Sequence, residues 1–111
     1  MDKKVKNLSP EELREWLCGD RDLQPLLLDV REPWELDICR LPGALAIPMQ
    51  QIPERVGELD PARATVCVCH HGVRSLQVAQ YLERSGFSQL FNLEGGVDRW
   101  ARCVDPEMAT Y

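Results

Sequence analysis

The chain alternates short apolar runs with segments whose apolar residues recur at helical spacing. Val5 to Leu8 suits a short first strand. Ser9-Pro10-Glu11-Glu12 reads as a helix start, with Ser9 as N-cap, Pro10 at the first helical position and Glu12 placed to close a capping box. Leu13, Trp16 and Leu17 follow at i, i+3, i+4, and Gly19 supplies the stop. Leu26-Leu27-Leu28-Asp29-Val30 is an unbroken apolar run closed by charge, the pattern of a strand covered on both faces. Pro33 sits in the first turn of a short helix over Arg31–Leu36. Pro42-Gly43 marks a turn, and Ala44 to Ile47 is a brief strand stopped by Pro48. Met49, Ile52, Val56 and Leu59 have helical spacing, with Pro53 in the first turn, where proline is tolerated.

Thr65-Val66-Cys67-Val68-Cys69 is the clearest strand, β-branched and apolar throughout, and Gly72 breaks it. Val78, Ala79 and Leu82 mark a helix that ends near Gly86. Leu90-Phe91-Asn92-Leu93 is a last short strand, and Gly95-Gly96 leads into a helix carrying Val97, Trp100 and Ala101. The segment 104–111 is expected to run extended along the surface or to fray. Short apolar strands alternating with helices imply a parallel sheet between helical layers, with ligands bound outside the carboxyl ends of the strands. That rule points at the segment after Cys69.

At 111 residues the chain fits a single domain, 1–111, and no repeat or linker divides it. Hydrophobic residues at 44% and charged residues at 28% place it with ordinary globular domains. A net charge of −5 without a basic run argues against nucleic acid or an anionic membrane as partner. No apolar stretch approaches the ~18 residues of a membrane span. No apolar segment follows the lysines of Met1–Lys6, so neither a signal peptide nor secretion is expected, and the expected location is cytoplasmic. The five cysteines form no C-x-x-C pair, and the two histidines are adjacent, so neither a structural zinc site nor a disulfide framework is expected. Most cysteines then read as small buried apolar side chains.

The chemistry concentrates in Cys69-His70-His71-Gly72-Val73-Arg74-Ser75. A cysteine ends a buried strand, a glycine lets the backbone curl, and a helix begins within a few residues. In that geometry the amides of residues 70 to 75 can converge above the sulfur as an anion cradle. The helix start adds about half a positive charge, and Arg74 a full one. A free thiol titrates near about 8.5, and such surroundings can bring it to about 3.5–7.5, so a thiolate is predicted at position 69.

Cys-x-x-Gly-x-Arg-Ser resembles the active-site loop of the rhodanese (thiosulfate sulfurtransferase) family, in its small single-domain bacterial form. Leu28-Asp29-Val30-Arg31-Glu32 is similar to the family's Asp-Val-Arg-Glu stretch. Leu41-Pro42-Gly43-Ala44 with Ile47-Pro48 is similar to its Ile-Pro-Gly-Ala…Ile-Pro element. Glu94-Gly95-Gly96-Val97-Asp98-Arg99-Trp100 is similar to its closing Gly-Gly…Trp motif. These landmarks run in family order from residue 5 to residue 103. Cys39-Arg40 stand where the family often has Gly-His, and His70 and His71 fill loop positions that vary among members. The resemblance implies an α/β fold with a central, mostly parallel five-stranded sheet and helices on both faces. It also implies sulfur transfer through a Cys69 persulfide. The Cys69 sulfur would take the outer sulfur of thiosulfate, release sulfite, and pass the sulfur to a thiophilic acceptor such as cyanide or a thiol, with thioredoxin or another thiol protein as a possible acceptor. Residues 70 to 75 would bind the donor, and Arg74 would pair with its sulfonate. No metal or organic cofactor is expected.

Tyrosine phosphatases use a similar cradle with Cys-x5-Arg, whereas Cys69 and Arg74 stand at Cys-x4-Arg. The shorter ring favours a sulfur atom over a phosphoryl group. A persulfide carrier fed by a protein donor, and a non-catalytic binding module, are the alternatives. His70 and His71 either steer anionic donors or simply form the rim. Asp29 and Arg31, at the end of the neighbouring strand, either orient the loop or donor or form an ion pair capping the strand. Cys67 lies on the same strand face as Cys69 and reads as a packing residue, as do Cys18, Cys39 and Cys103. The tryptophans are expected in helix–sheet packing, and Gly95-Gly96 is either a turn or a close approach to the loop.

Overall fold

The structure is a computed structural model that describes residues 5–111. Residues 1–4, within the Met1–Lys6 stretch read above as carrying no leader, lie outside the described residues. The strands are β1 (Val5–Leu8), β2 (Leu26–Asp29), β3 (Leu45–Ala46), β4 (Thr65–Val68) and β5 (Leu90–Leu93). The helices are α1 (Pro10–Leu17), α2 (Pro33–Leu36), α3 (Ile52–Arg55), α4 (Val73–Arg84) and α5 (Gly96–Cys103). The strands form one sheet in the order β1-β5-β4-β2-β3, and every pairing is parallel rather than mostly so. Among the described residues no helix is long and apolar enough to cross a membrane.

Strand alternation builds two cores from one sheet. Leu28, Val30, Cys67, Cys69 and Leu90 face one side and pack with Ile52 of α3 and Val78, Ala79 and Leu82 of α4. Leu27, Val66, Val68 and Leu93 face the other and pack with Leu13 of α1 and Val97 and Trp100 of α5. β4 is buried along its whole length between β2 and β5, which is why it reads as continuous apolar sequence.

Local signals act as expected at the start of α1. The Glu12 amide donates to Ser9 Oγ at 3.1 Å, and the Ser9 amide donates to Glu12 Oε1 at 2.8 Å. The helical spacing over 49–59 resolves instead into one turn of α-helix between two short 3-10 turns. Pro53 has no N–H to carry a longer ladder. Residues 104–111, expected extended or frayed, contain no regular element but are docked: Val104, Met108 and Tyr111 pack on the α1–α5 core.

Replacing Ser9 by alanine removes a cap far from Cys69. The expected loss is about 1 kcal/mol in denaturant unfolding, with the alkylation rate of Cys69 unchanged.

Candidate active site

β4 ends at Val68 in the interior of the sheet, so Cys69 stands at its carboxyl end, on the α4 face. Its residue is 1% exposed. The chain reverses at Gly72, whose φ of +99° falls in the left-handed region, and α4 begins at Val73. Sγ of Cys69 accepts the Gly72 N–H at 3.0 Å and lies 3.2 Å from Ser75 Oγ. Of the amides expected to converge, that of Gly72 reaches the sulfur. The first-turn amides of α4 lack intrahelical acceptors and add the positive end of the helix dipole.

The outside of the loop is clasped by α5. The Cys69 carbonyl accepts from the Val97 amide at 2.9 Å and the His70 carbonyl from the Asp98 amide at 3.1 Å. A Cβ on Gly96 would overlap both carbonyls, so the glycine pair is a close approach and not only a turn.

Arg74 departs from expectation. Its fork is closed on Glu35, Nη1 to Oε1 at 2.7 Å and Nη2 to Oε2 at 2.8 Å. Glu35 is buried in α2, and Tyr111 donates its hydroxyl to Oε2 at 2.7 Å. The Arg74 bonds, against the effect of burial, hold the Glu35 carboxyl at about 2; the Glu32 backbone and Tyr111 help. Glu35 in turn keeps Arg74 firmly charged. Asp29 and Arg31 form a fully buried ion pair at 2.8 Å. Arg31 also donates to the Cys39 carbonyl at 2.7 Å and to the Tyr111 hydroxyl at 3.0 Å. Burial opposes its charge, but Asp29 and Tyr111 raise it further. The pair caps the strand end and reaches the site through Tyr111.

His70 is stacked between His71 at 3.9 Å and the Tyr111 ring at 3.8 Å, ring centroid to centroid. Burial first, then His71, keeps His70 below the ordinary imidazole value, which favours its neutral form. His71 is exposed, 3.8 Å from Asp98, whose carboxylate also accepts from Arg102. His70, His71 and Asp98 bring ligand atoms within 4.8 Å of one another. The two imidazole rings lie 3.9 Å apart, centroid to centroid, with their planes tilted by 33°. Val73 is 66% exposed and forms the rim.

The other cysteines divide. Burial pushes the Cys67 thiol up to about 12, with a further push from Cys69, as befits a packing residue. Cys18 and Cys103, expected to be buried, are exposed, and Cys39 is half-buried. Cys18 and Cys103 sit at the carboxyl ends of α1 and α5, where helices meet solvent. Trp34, expected in packing, is 61% exposed and makes a T-shaped contact with the Tyr111 ring.

Glu35, Asn92, Tyr111 and Asp98 were not singled out from the sequence as site residues. Asn92 had a readable signal, a polar residue inside a buried strand. Glu35, Tyr111 and Asp98 had none, because their roles arise from tertiary contacts.

The domain is thus a parallel α/β sheet with a cysteine at the end of its central strand, facing a helix N-terminus. A sequence model of the rhodanese-like domain matches residues 9–103, and the chain belongs to the rhodanese-like domain family. It is 38% identical over 98 residues to a sulfurtransferase of Allochromatium vinosum, covering 88% of this chain and 90% of that protein. It is also 38% identical over 110 residues to a Mycobacterium tuberculosis protein named as a probable adenylyltransferase/sulfurtransferase, MoeZ, covering 97% of this chain but only 28% of that longer protein. The crystal structure of a rhodanese-like domain protein from Staphylococcus aureus superposes with a TM-score of 0.81 at 30% identity, over 96% of this chain and 98% of that one.

Gly96→Ala should destabilise the fold by about 2–4 kcal/mol, through a positive φ and an overpacked clasp, read as a lowered denaturant midpoint. Glu35→Gln should cost about 1–2 kcal/mol at pH 7, discounted because Arg74 is partly in water. The folded carboxyl lies below its ordinary 4.5, at about 2. The advantage of Glu35 over glutamine is therefore full above 4.5 and closes as pH falls toward 2, which unfolding curves of both proteins across that range would check.

Proposed function

We propose that the protein transfers sulfane sulfur through a persulfide on Cys69. The Cys69 thiolate attacks the outer sulfur of thiosulfate. The sulfur–sulfur bond of the donor breaks, its electron pair leaves on sulfite, and Cys69 keeps an anionic persulfide. A nucleophilic acceptor, cyanide or a thiolate, then attacks the outer sulfur and returns the electron pair to Sγ. The observation that carries this reading is the sulfur itself, enclosed at the sheet's carboxyl edge with the Gly72 amide and the Ser75 hydroxyl against it. Donors fixed in place before reaction favour sulfur anions both as attacking and as leaving groups. Arg74 is paired with Glu35, so neither a free fork nor an unbalanced charge is offered to the sulfonate.

A persulfide carrier acting on a protein partner is the second reading. Trp34 and Val73, at 61% and 66% exposure, adjoin Glu35 and Arg74 in the chain and give the rim an apolar surface suited to another protein. A thiol protein such as thioredoxin would then be the acceptor.

Intact mass spectrometry after incubation with thiosulfate should show a gain of about one sulfur atom, lost on adding cyanide. Cys69→Ser should show no gain. Persulfide uptake from a protein donor without any from thiosulfate would assign the carrier role, and uptake by the serine variant would overturn both.

A further inference from the structure

Asn92 interrupts the apolar run of β5 and is 4% exposed. It pairs with Cys67 in the sheet register, which puts its side chain on the face that holds Cys69 and α4. Its Nδ2 donates to the Gly72 carbonyl at 3.1 Å and to Asn7 Oδ1 at 3.3 Å. Those acceptors fix the amide, so Oδ1 faces Ser75 Oγ and takes a hydrogen bond from it. An amide oxygen can only accept, and a serine hydroxyl has one proton. Ser75 therefore stands between two groups that can each accept that proton, Asn92 Oδ1 and, at 3.2 Å, Cys69 Sγ.

With Cys69 as a thiol every group is satisfied: S–H donates to Oγ, and Oγ–H donates to Oδ1. With Cys69 as an anion the chain is frustrated. Either the hydroxyl stays on Asn92 and turns a lone pair toward the charge, or it rotates to the sulfur and strands a buried amide oxygen. No covalent bond changes in the protein beyond loss of the thiol proton to solvent, since the serine proton only rotates.

We propose that Asn92 is a positioning residue that competes with the Cys69 sulfur for the single proton of Ser75, and so restrains formation of the sulfur anion while holding the Gly72 turn. The proposal rests on the reading of Cys69 as the reacting sulfur. The restraint has a chemical use. Thiolate nucleophilicity falls as the thiol becomes more acidic, and the best attacking thiol titrates near ambient pH. An amide, a hydroxyl and a helix N-terminus aimed at one sulfur all favour the anion, and Asn92 draws one of them back.

The test is the pH profile of Cys69 alkylation by iodoacetamide, resolved by peptide mass spectrometry and supported by circular dichroism. Asn92→Ala should move the midpoint down by about one pH unit, the equivalent of one freed hydrogen bond. Ser75→Ala should move it up. Asn92→Ala added to Ser75→Ala should change nothing further, because the proton in contention is gone. An upward or absent shift in Asn92→Ala overturns the proposal, as does an undiminished effect in the Ser75→Ala background, which would mark Asn92 as only a prop for the turn. Asn92→Leu keeps the side chain's approximate size, adds no charge and offers Ser75 no acceptor, so it too should move the midpoint down; an upward or absent shift there is equally fatal and keeps the test open if the alanine variant fails to fold. Alkylation needs no sulfur donor. A protein that shows these shifts yet gains no sulfur from thiosulfate would overturn the thiosulfate reading and leave this one standing.

Discussion

The site depends on a clasp between two stretches of backbone. The Cys69 and His70 carbonyls are held by the Val97 and Asp98 amides at the start of α5. A peptide plane carries its carbonyl and its N–H on opposite sides. Pinning the carbonyls of 69 and 70 to α5 therefore limits how the following peptides can turn, and the Gly72 amide comes round onto Sγ. The clasp closes only because position 96 has no side chain. It also couples the two cores. α5 packs on one face of the sheet and α4 on the other, and the loop between β4 and α4 is where both meet.

Around this backbone sits a charge arrangement that is balanced rather than basic. Arg31 is matched by Asp29, and Arg74 by Glu35. Tyr111 joins the two pairs through its hydroxyl, accepting from Arg31 and donating to Glu35. Its ring lies on His70 at 9° and 3.8 Å. A segment without regular structure thus helps order the loop, through one aromatic side chain that supplies both a flat face and a polar end.

The sheet, its two helical layers and the position of Cys69 were legible from sequence because each rests on local chemistry. Apolar runs bounded by Gly and Pro gave the strands, Ser9-x-x-Glu12 the cap, and Gly72 the reversal. The partners of Arg74 and the docking of residues 104–111 were not legible. Glu35 lies 39 residues before Arg74, and Tyr111 lies 80 after Arg31; no pattern along the chain connects them. The expectation that Arg74 pairs with a sulfonate rests on its charge, and an arginine near a loop reveals its charge but not which carboxylate closes on it. The exposed cysteines went astray differently, since residue type predicts burial only on average and a helix's last residue can face water whatever its side chain.

The balanced charges bear on which anion the loop suits. With Arg74 closed on Glu35 and Arg31 on Asp29, the formal charges nearest the sulfur cancel in pairs. What remains directed at Sγ is dipolar: the Gly72 N–H, the Ser75 hydroxyl and the first turn of α4. Fixed dipoles of this strength suit one delocalised negative charge on sulfur. A phosphoryl dianion, with three oxygens to satisfy, would want a free bidentate cation and a wider ring, and here the ring is one residue shorter and its arginine is already engaged. The electrostatics and the loop length thus agree. Because the Glu35 carboxyl stays ionised down to about 2, ordinary changes of pH do not release Arg74 to alter that preference.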